Sequence, residues 1–218
     1  MAGRPRLRAR RGREARRARQ NASAAWKEHH KRAVKEWQDS RHAILGFREI
    51  PPQDNDLSGL DFTGRDLEGA NFKGANLEGA NFSRAFLDRA DFRGANLKNA
   101  DFTNARAWNA NFQKADASWA SFRGADMFDA HFRGSTVAVA DFQQADLSGA
   151  WFYDADLEGA NLQDSWMRGV NFTGANLFGA NLEGADLYRA VFFEADLRKA
   201  KGLTPEQKAD YEGQGAKF

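Results

Sequence analysis

Cysteine is absent from this 218-residue chain, and histidine and proline each occur only four times. Without cysteine there are no disulfides and no thiolate metal sites. His29, His30, His42 and His131 have no carboxylates around them at metal-ligand spacing, so no metal or other cofactor is expected. No run of about 18 apolar residues occurs, which excludes a transmembrane span. Residues 1–20 lack the apolar stretch of a secretory signal, and a cytoplasmic location is expected. The glycines are spread at five-residue intervals rather than gathered into a phosphate-binding loop. No nucleophile stands beside a base, and the chain is not expected to be an enzyme.

What is present divides sharply by charge. Residues 1–54 carry 15 Lys and Arg against 6 Asp and Glu, whereas residues 55–199 carry 14 against 21. A basic arm of net +9 is thus joined to an acidic body of net −7.

The body is a repeat. From Asn55 every fifth residue opens a unit of the form small, Asp or Asn, Leu or Phe, polar, Gly or polar; 145 residues give 29 units without insertion. The stretch from Ala75 to Asp91, ANLEGANFSRAFLDRAD, is typical. The third residue of the unit is apolar throughout, from Leu57 and Phe62 to Phe192 and Leu197. A helix of 3.6 residues per turn would smear this pattern around its circumference, and a strand would send successive core residues to opposite faces. If each unit makes one short extended side and a corner, four units close a square coil of 20 residues. Phe alternates with smaller residues every ten positions from Phe62 to Phe152, so two opposite walls should carry Phe and two should carry Leu, Ala, Met or Val. Asp recurs at the second position because a short polar side chain is wanted near the backbone there, not because carboxylates are paired for catalysis. Gly fills the fifth position in 14 of 29 units, where a corner favours positive φ, and Asn99, Asn104 and Asn109 are the next best residues for it.

The pattern resembles the pentapeptide-repeat family, A(D/N)LXX, over about two thirds of the chain. The resemblance implies an all-β solenoid, a right-handed quadrilateral β-helix of about seven coils. Some members of that family resemble B-form DNA in shape and negative charge, bind DNA gyrase and protect bacteria from fluoroquinolones. A type II topoisomerase is therefore one implied partner, with antibiotic resistance as the implied outcome.

The rest of the chain divides as a basic disordered arm over 1–22, an amphipathic helix over 23–46, a linker over 47–54, the repeat body over 55–200, and a C-terminal cap and tail over 201–218. Thr204, Pro205 and Gln207 read as a capping box that starts a short helix from about Pro205 to Tyr211. In the arm Arg4, Arg6, Arg8, Arg10, Arg11, Arg13, Arg16, Arg17 and Arg19 suit non-specific nucleic acid or an anionic surface. In the expected N-terminal helix Trp26, Trp37 and Ile44 form the packing face.

With four units per coil, Phe86, Trp108, Phe128, Trp166 and Tyr188 fall at outward positions of one wall, and Trp151, Tyr153 and Phe193 fall on the next. A contiguous apolar patch of this kind marks a contact surface. The expected occupant is the chain's own N-terminal helix, with homodimerisation as the alternative. The function read from these features is a non-catalytic protein-interaction scaffold, with gyrase binding as the alternative.

Overall fold

The computed structural model describes residues 56–218. The arginine arm, the helix expected over 23–46 with Trp26, Trp37 and Ile44, and the 47–54 linker lie outside the described residues. The described part contains no long strands. It is built instead from single-residue parallel bridges, each joining a residue to the one 20 further on, from Asp56↔Asn76 to Asn181↔Lys201. Units 20 residues apart therefore stack, and the solenoid has four walls. Wall I is centred on Leu57, Leu77 and their successors, wall II on Phe62 and Phe82, wall III on Leu67 and Leu87, and wall IV on Phe72 and Phe92.

Each position in the unit is explained by where its N–H goes, because a stacked backbone cannot leave buried donors unpaired. In the unit centred on Phe92, Asp91 N donates to Ala70 O in the preceding coil (2.9 Å), and Phe92 N donates to Asn111 O in the next (2.7 Å). Arg93 N donates to the Asp91 carboxylate (3.0 Å). Gly94 N reaches Gln113 O (2.9 Å), and Ala95 N closes the corner onto Phe92 O (3.0 Å). The Asp or Asn of the second position thus serves the one donor that the coils above and below cannot reach. The corner is a β-turn whose third residue takes positive φ, as a type II turn requires. This holds at the 14 glycine corners and also at 15 other residues, Asn99, Asn104 and Asn109 among them.

Inside the bore the two Phe walls face one another. Phe62, Phe82, Phe102, Phe122 and Phe142 stack in a column on wall II, with neighbouring centroids 4.7–4.9 Å apart. That distance is the coil spacing expected for hydrogen-bonded neighbours, about 4.8 Å. Across the bore each ring meets the wall IV column edge-on, as Phe82 meets Phe92 at 5.5 Å and 85°. Both geometries suit the ring quadrupole. Where wall II changes to Leu162 and Leu182, the edge-on partners disappear. The Phe152–Phe172 and Phe172–Phe192 pairs then tilt to 25° and 23°. Alanines fill the small inward position, and the two serines that replace them remain satisfied: Ser135 Oγ donates to Phe132 O (2.8 Å) and Ser165 Oγ to Leu162 O (2.6 Å).

The C-terminal end is closed by helix α1, Pro205–Gly213, whose Thr204 cap and Gln207 bond reciprocally. It runs two residues past the Tyr211 end expected from sequence, because its stop lies in Gln214, whose N–H bonds Tyr211 O at 3.0 Å, and in Gly215 at φ 86°. The tail then returns to the solenoid. Lys217 bridges Asp196 in parallel, and Leu197 N donates to Lys217 O (2.7 Å). No helix of the described residues is long and apolar enough to cross a membrane.

Candidate interaction surface

Because the inward positions are filled by Ala and Phe or Leu, the second, fourth and fifth residues of each unit form the outer surface. On walls I and II the second-position residues, from Asp56 to Asn181, are short polar side chains, several of them engaged with one another from coil to coil. Asn96 Nδ2 donates to Asn76 Oδ1 (2.9 Å), which belongs to a residue that itself donates to Asp56 (2.9 Å), and Asn161 donates to Asp141 (3.0 Å). Most of the second-position carboxylates also accept the backbone N–H two residues on, as Asp61 does from Thr63 (3.0 Å) and Asp141 from Gln143 (3.1 Å). These acids are turn residues. Thr63, whose hydroxyl and backbone N–H both donate to Asp61, holds that carboxyl below its ordinary value, while burial works the other way.

Wall III differs. Phe86, Trp108 and Phe128 lie on three consecutive coils and are 43–45% exposed, while Trp166 and Tyr188 are 57% and 60% exposed. The coil of Asp146 and Ser148 separates the two groups. Within the first group the Arg106 guanidinium sits 5.0 Å from the Phe86 ring centroid and 5.1 Å from that of Trp108. Its Nε donates to Asp88 Oδ2 (2.8 Å), and Trp108 N donates to the other oxygen of the buried Asp88 (3.2 Å). The arginine thus touches both aromatic rings while its charge is answered by Asp88. In the second group Arg168 pairs with Asp186 (2.5 Å), and Arg189 lies 5.1 Å from the Tyr188 ring. The Arg168 hydrogen bond leads the causes that hold the Asp186 carboxyl below its ordinary value.

On wall IV Trp151 is 50% and Phe193 is 49% exposed. Tyr153 is half-buried: its ring meets Trp151 edge-on at 6.3 Å, and its hydroxyl accepts from Asn171 Nδ2 (2.7 Å). His131 lies 4.9 Å from Trp151, so the one histidine among the described residues is a neighbour of this aromatic pair. Lys73, Arg93, Lys114 and Arg133 extend along the same side of the rod toward its N-terminal end.

Four exposed apolar residues stand outside the surface expected from sequence: Trp119 and Val139 at corners, Val191 at a second position of wall IV, and Phe218 beyond the repeat. Trp119 and Val139 occupy consecutive corners between walls I and II, are 64% and 41% exposed, and hold φ of 64° and 57°. The available signal was their place in the fifth position, where no other unit carries an apolar residue.

A solenoid of coils with an engaged polar face and an exposed aromatic face defines the class: a β-helical repeat protein. The pentapeptide-repeat family model matches it in eight copies, over residues 56–94, 90–134, 125–164, 140–174 and 171–201, and the chain belongs to that family. Among solved structures it is similar to HetL, a pentapeptide repeat protein involved in heterocyst differentiation regulation from the cyanobacterium Nostoc sp. strain PCC 7120. The two are 25% identical over 68% of this chain and 74% of HetL, with a TM-score of 0.49. It is also similar to a trypsin-treated form of QnrB1, a plasmid-mediated fluoroquinolone resistance protein (25% identity, 75% of this chain and 94% of that one, TM-score 0.37). A third is a pentapeptide repeat protein of the Arabidopsis thaliana thylakoid lumen (27% identity, 60% and 70% covered, TM-score 0.25). No curated protein sequence matches the chain.

Proposed function

We propose that this protein is a non-catalytic scaffold that presents wall III, flanked by Trp151 and Phe193 of wall IV, to a protein partner. The observation that carries the reading is the run of Phe86, Trp108 and Phe128 on consecutive coils around the clamped Arg106. Aromatic residues and arginine are the side chains that dominate binding energy at protein interfaces. A rigid array also loses little side-chain entropy on association. A photo-crosslinking residue placed at Phe128 in the full chain, in its native host, is expected to yield discrete protein adducts. One at Gln143 of wall II is expected to yield none. Equal yields from both positions reject the reading.

The acidic walls support a second reading, a topoisomerase partner engaged through DNA-like charge. Ion pairs interrupt those walls, with Lys98–Asp116 at 2.9 Å and Arg198–Asp196 at 2.6 Å on wall I and Arg123–Asp141 at 3.1 Å on wall II. We therefore rank the aromatic wall first. A gyrase supercoiling assay with and without a quinolone decides the matter: no effect at micromolar protein removes the second reading.

A further inference from the structure

We infer that the partner wall III is built to meet is a second copy of this chain, lying antiparallel to the first about a two-fold axis along the rung of Asp126, Met127 and Phe128. This rests on wall III being the contact surface, and adds the occupant, the symmetry and the register.

The argument comes from the regularity of the coils. Outward residues of one wall form columns, one running through Asp66, Phe86, Arg106, Asp126, Asp146, Trp166 and Asp186, the other through Trp108, Phe128, Ser148 and Tyr188. A two-fold axis lying in the plane of the wall and crossing the rod sends each coil above the 126–128 rung to the same distance below it, and keeps each column opposite itself. Phe86 then faces Trp166 of the partner subunit, and Phe128 faces Phe128 of the partner subunit. Trp108 faces Ser148 of the partner subunit, large against small. Arg106 faces Asp146 of the partner subunit. Asp146 makes no ion pair of its own among the described residues, its Oδ1 being occupied by Ser148 N at 2.9 Å. The polar coil that interrupts the aromatic wall at Asp146 and Ser148 is thus where the Arg106 and Trp108 coil of the other copy belongs. With the axis along the rod instead, Asp66 would oppose Glu68 of the partner subunit, and no aromatic ring would face another.

The area is adequate. Five aromatic side chains of about 150–250 Å² each, roughly half exposed, present about 500 Å² per protomer. The charged residues between them bring the contact toward the ~800 Å² per partner of a standard interface. Two juxtapositions are unfavourable: Asp126 faces Asp126 of the partner subunit, with Arg106 one coil away in the same column to offset the repulsion, and at the edge of the contact Asp66 faces Asp186 of the partner subunit, an aspartate that Arg168 of its own copy neutralises. The first of these lies on the axis and makes the register testable.

Because the chain contains no cysteine, single cysteines report on this geometry without background. In the full chain Asp126→Cys lies on the axis and should form an interchain disulfide on mild oxidation. Ser148→Cys, one coil off the axis and about two coil spacings from its own copy, should form about tenfold less. By sedimentation velocity the unaltered chain should be dimeric at about 50 µM, Asp126→Asn should tighten the dimer about threefold or more, and Phe128→Arg should be monomeric with an unchanged far-UV spectrum. A chain that stays monomeric at about 100 µM, or cysteines at 126 and 148 that cross-link equally, overturns the inference. If the chain is monomeric while a crosslinker at residue 128 still captures other proteins, the scaffold reading stands and only the self-association falls. If the dimer forms with this register and residue 128 captures only its own copy, the self-association stands and a different protein partner is excluded.

Discussion

The ring of Tyr211 in α1 lies 4.3 Å from that of Phe192, at 40°, and so terminates the wall IV phenylalanine column. A solenoid end otherwise exposes its core cross-section, and Tyr211 is the buried residue of the helix that covers it. Tyr211→Ala is expected to destabilise the terminal coil by about 3 kcal/mol. Amide exchange should accelerate at Phe192 and Leu197, whose N–H groups bond Gln214 Oε1 and Lys217 O, and remain slow near Phe102. Uniform acceleration along the rod would contradict a local cap.

Val139 is a β-branched residue at φ 57°. The left-handed region costs an ordinary L-residue about 1–2 kcal/mol, and Gly or Asn much less. Since the Val139 side chain is substantially exposed, little packing offsets the strain within the solenoid. Val139→Gly and Val139→Asn should each raise stability by about 1 kcal/mol, or about 2–4 °C in Tm. A lower Tm for both would show that the side chain contributes more than the strain removes.

Phe122 stacks on Phe102 at 4.9 Å and on Phe142 at 4.7 Å, with Phe112 and Phe132 edge-on at 5.9 Å each. Phe122→Ala should cost about 3–5 kcal/mol. Phe122→Leu should cost about 1.5 kcal/mol or less, since the same wall carries Leu at 162 and 182. Urea denaturation measures the difference, and equal losses would imply that ring stacking, not volume, holds the wall.

Hydrogen bonds from Arg93 to Asp91, from Arg168 to Asp186 and from Arg198 to Asp196 lead the causes that hold these carboxyls below the ordinary value. The unfolded chain therefore binds more protons in the acid range, and stability rises with pH there. The contribution is complete above the ordinary aspartate value of about 3.9 and is lost as pH falls through the depressed native values. The pairs are partly exposed, so the effect is modest and weakens in salt. Urea midpoints measured from about pH 6 to about pH 2.5 should fall most steeply below about pH 4. The Asp91→Asn, Asp186→Asn, Asp196→Asn triple variant should show a flatter profile, and an unchanged slope would refute the assignment.

Nine arginines in the first 20 residues should bind random duplex DNA by charge alone, with affinity falling steeply with salt, about 0.9 in log–log slope per phosphate neutralised. Removing residues 1–20 should abolish the shift in a gel assay. Binding that survives the deletion would move the site elsewhere.

The five-residue spacing was enough to place Phe86, Trp108, Phe128, Trp166 and Tyr188 on one wall, because a 20-residue circuit returns every fourth unit to the same face. The spacing also foretold Asp at the second position, whose side chain answers a donor in its own unit, a local interaction. The clamp of Arg106 between Phe86 and Trp108 was not legible, nor was its bond to Asp88. These residues are separated by 18 to 20 positions or by a turn within the unit, and only the lateral offset between stacked coils decides which side chains meet. Trp119 and Val139 were missed because the corner was read as a place for Gly or Asn, whereas the ladder on either side forces positive φ on whatever residue stands there.

Local chemistry repeated 29 times thus determined the coil and its register, since one slip would turn every Ala and Phe out of the bore. The tertiary structure alone decided how the column ends, with Tyr211 against Phe192 and Lys217 paired to Asp196. Residues 201–218 carry no repeat, and their place depends on which donors and which ring the last coil leaves open.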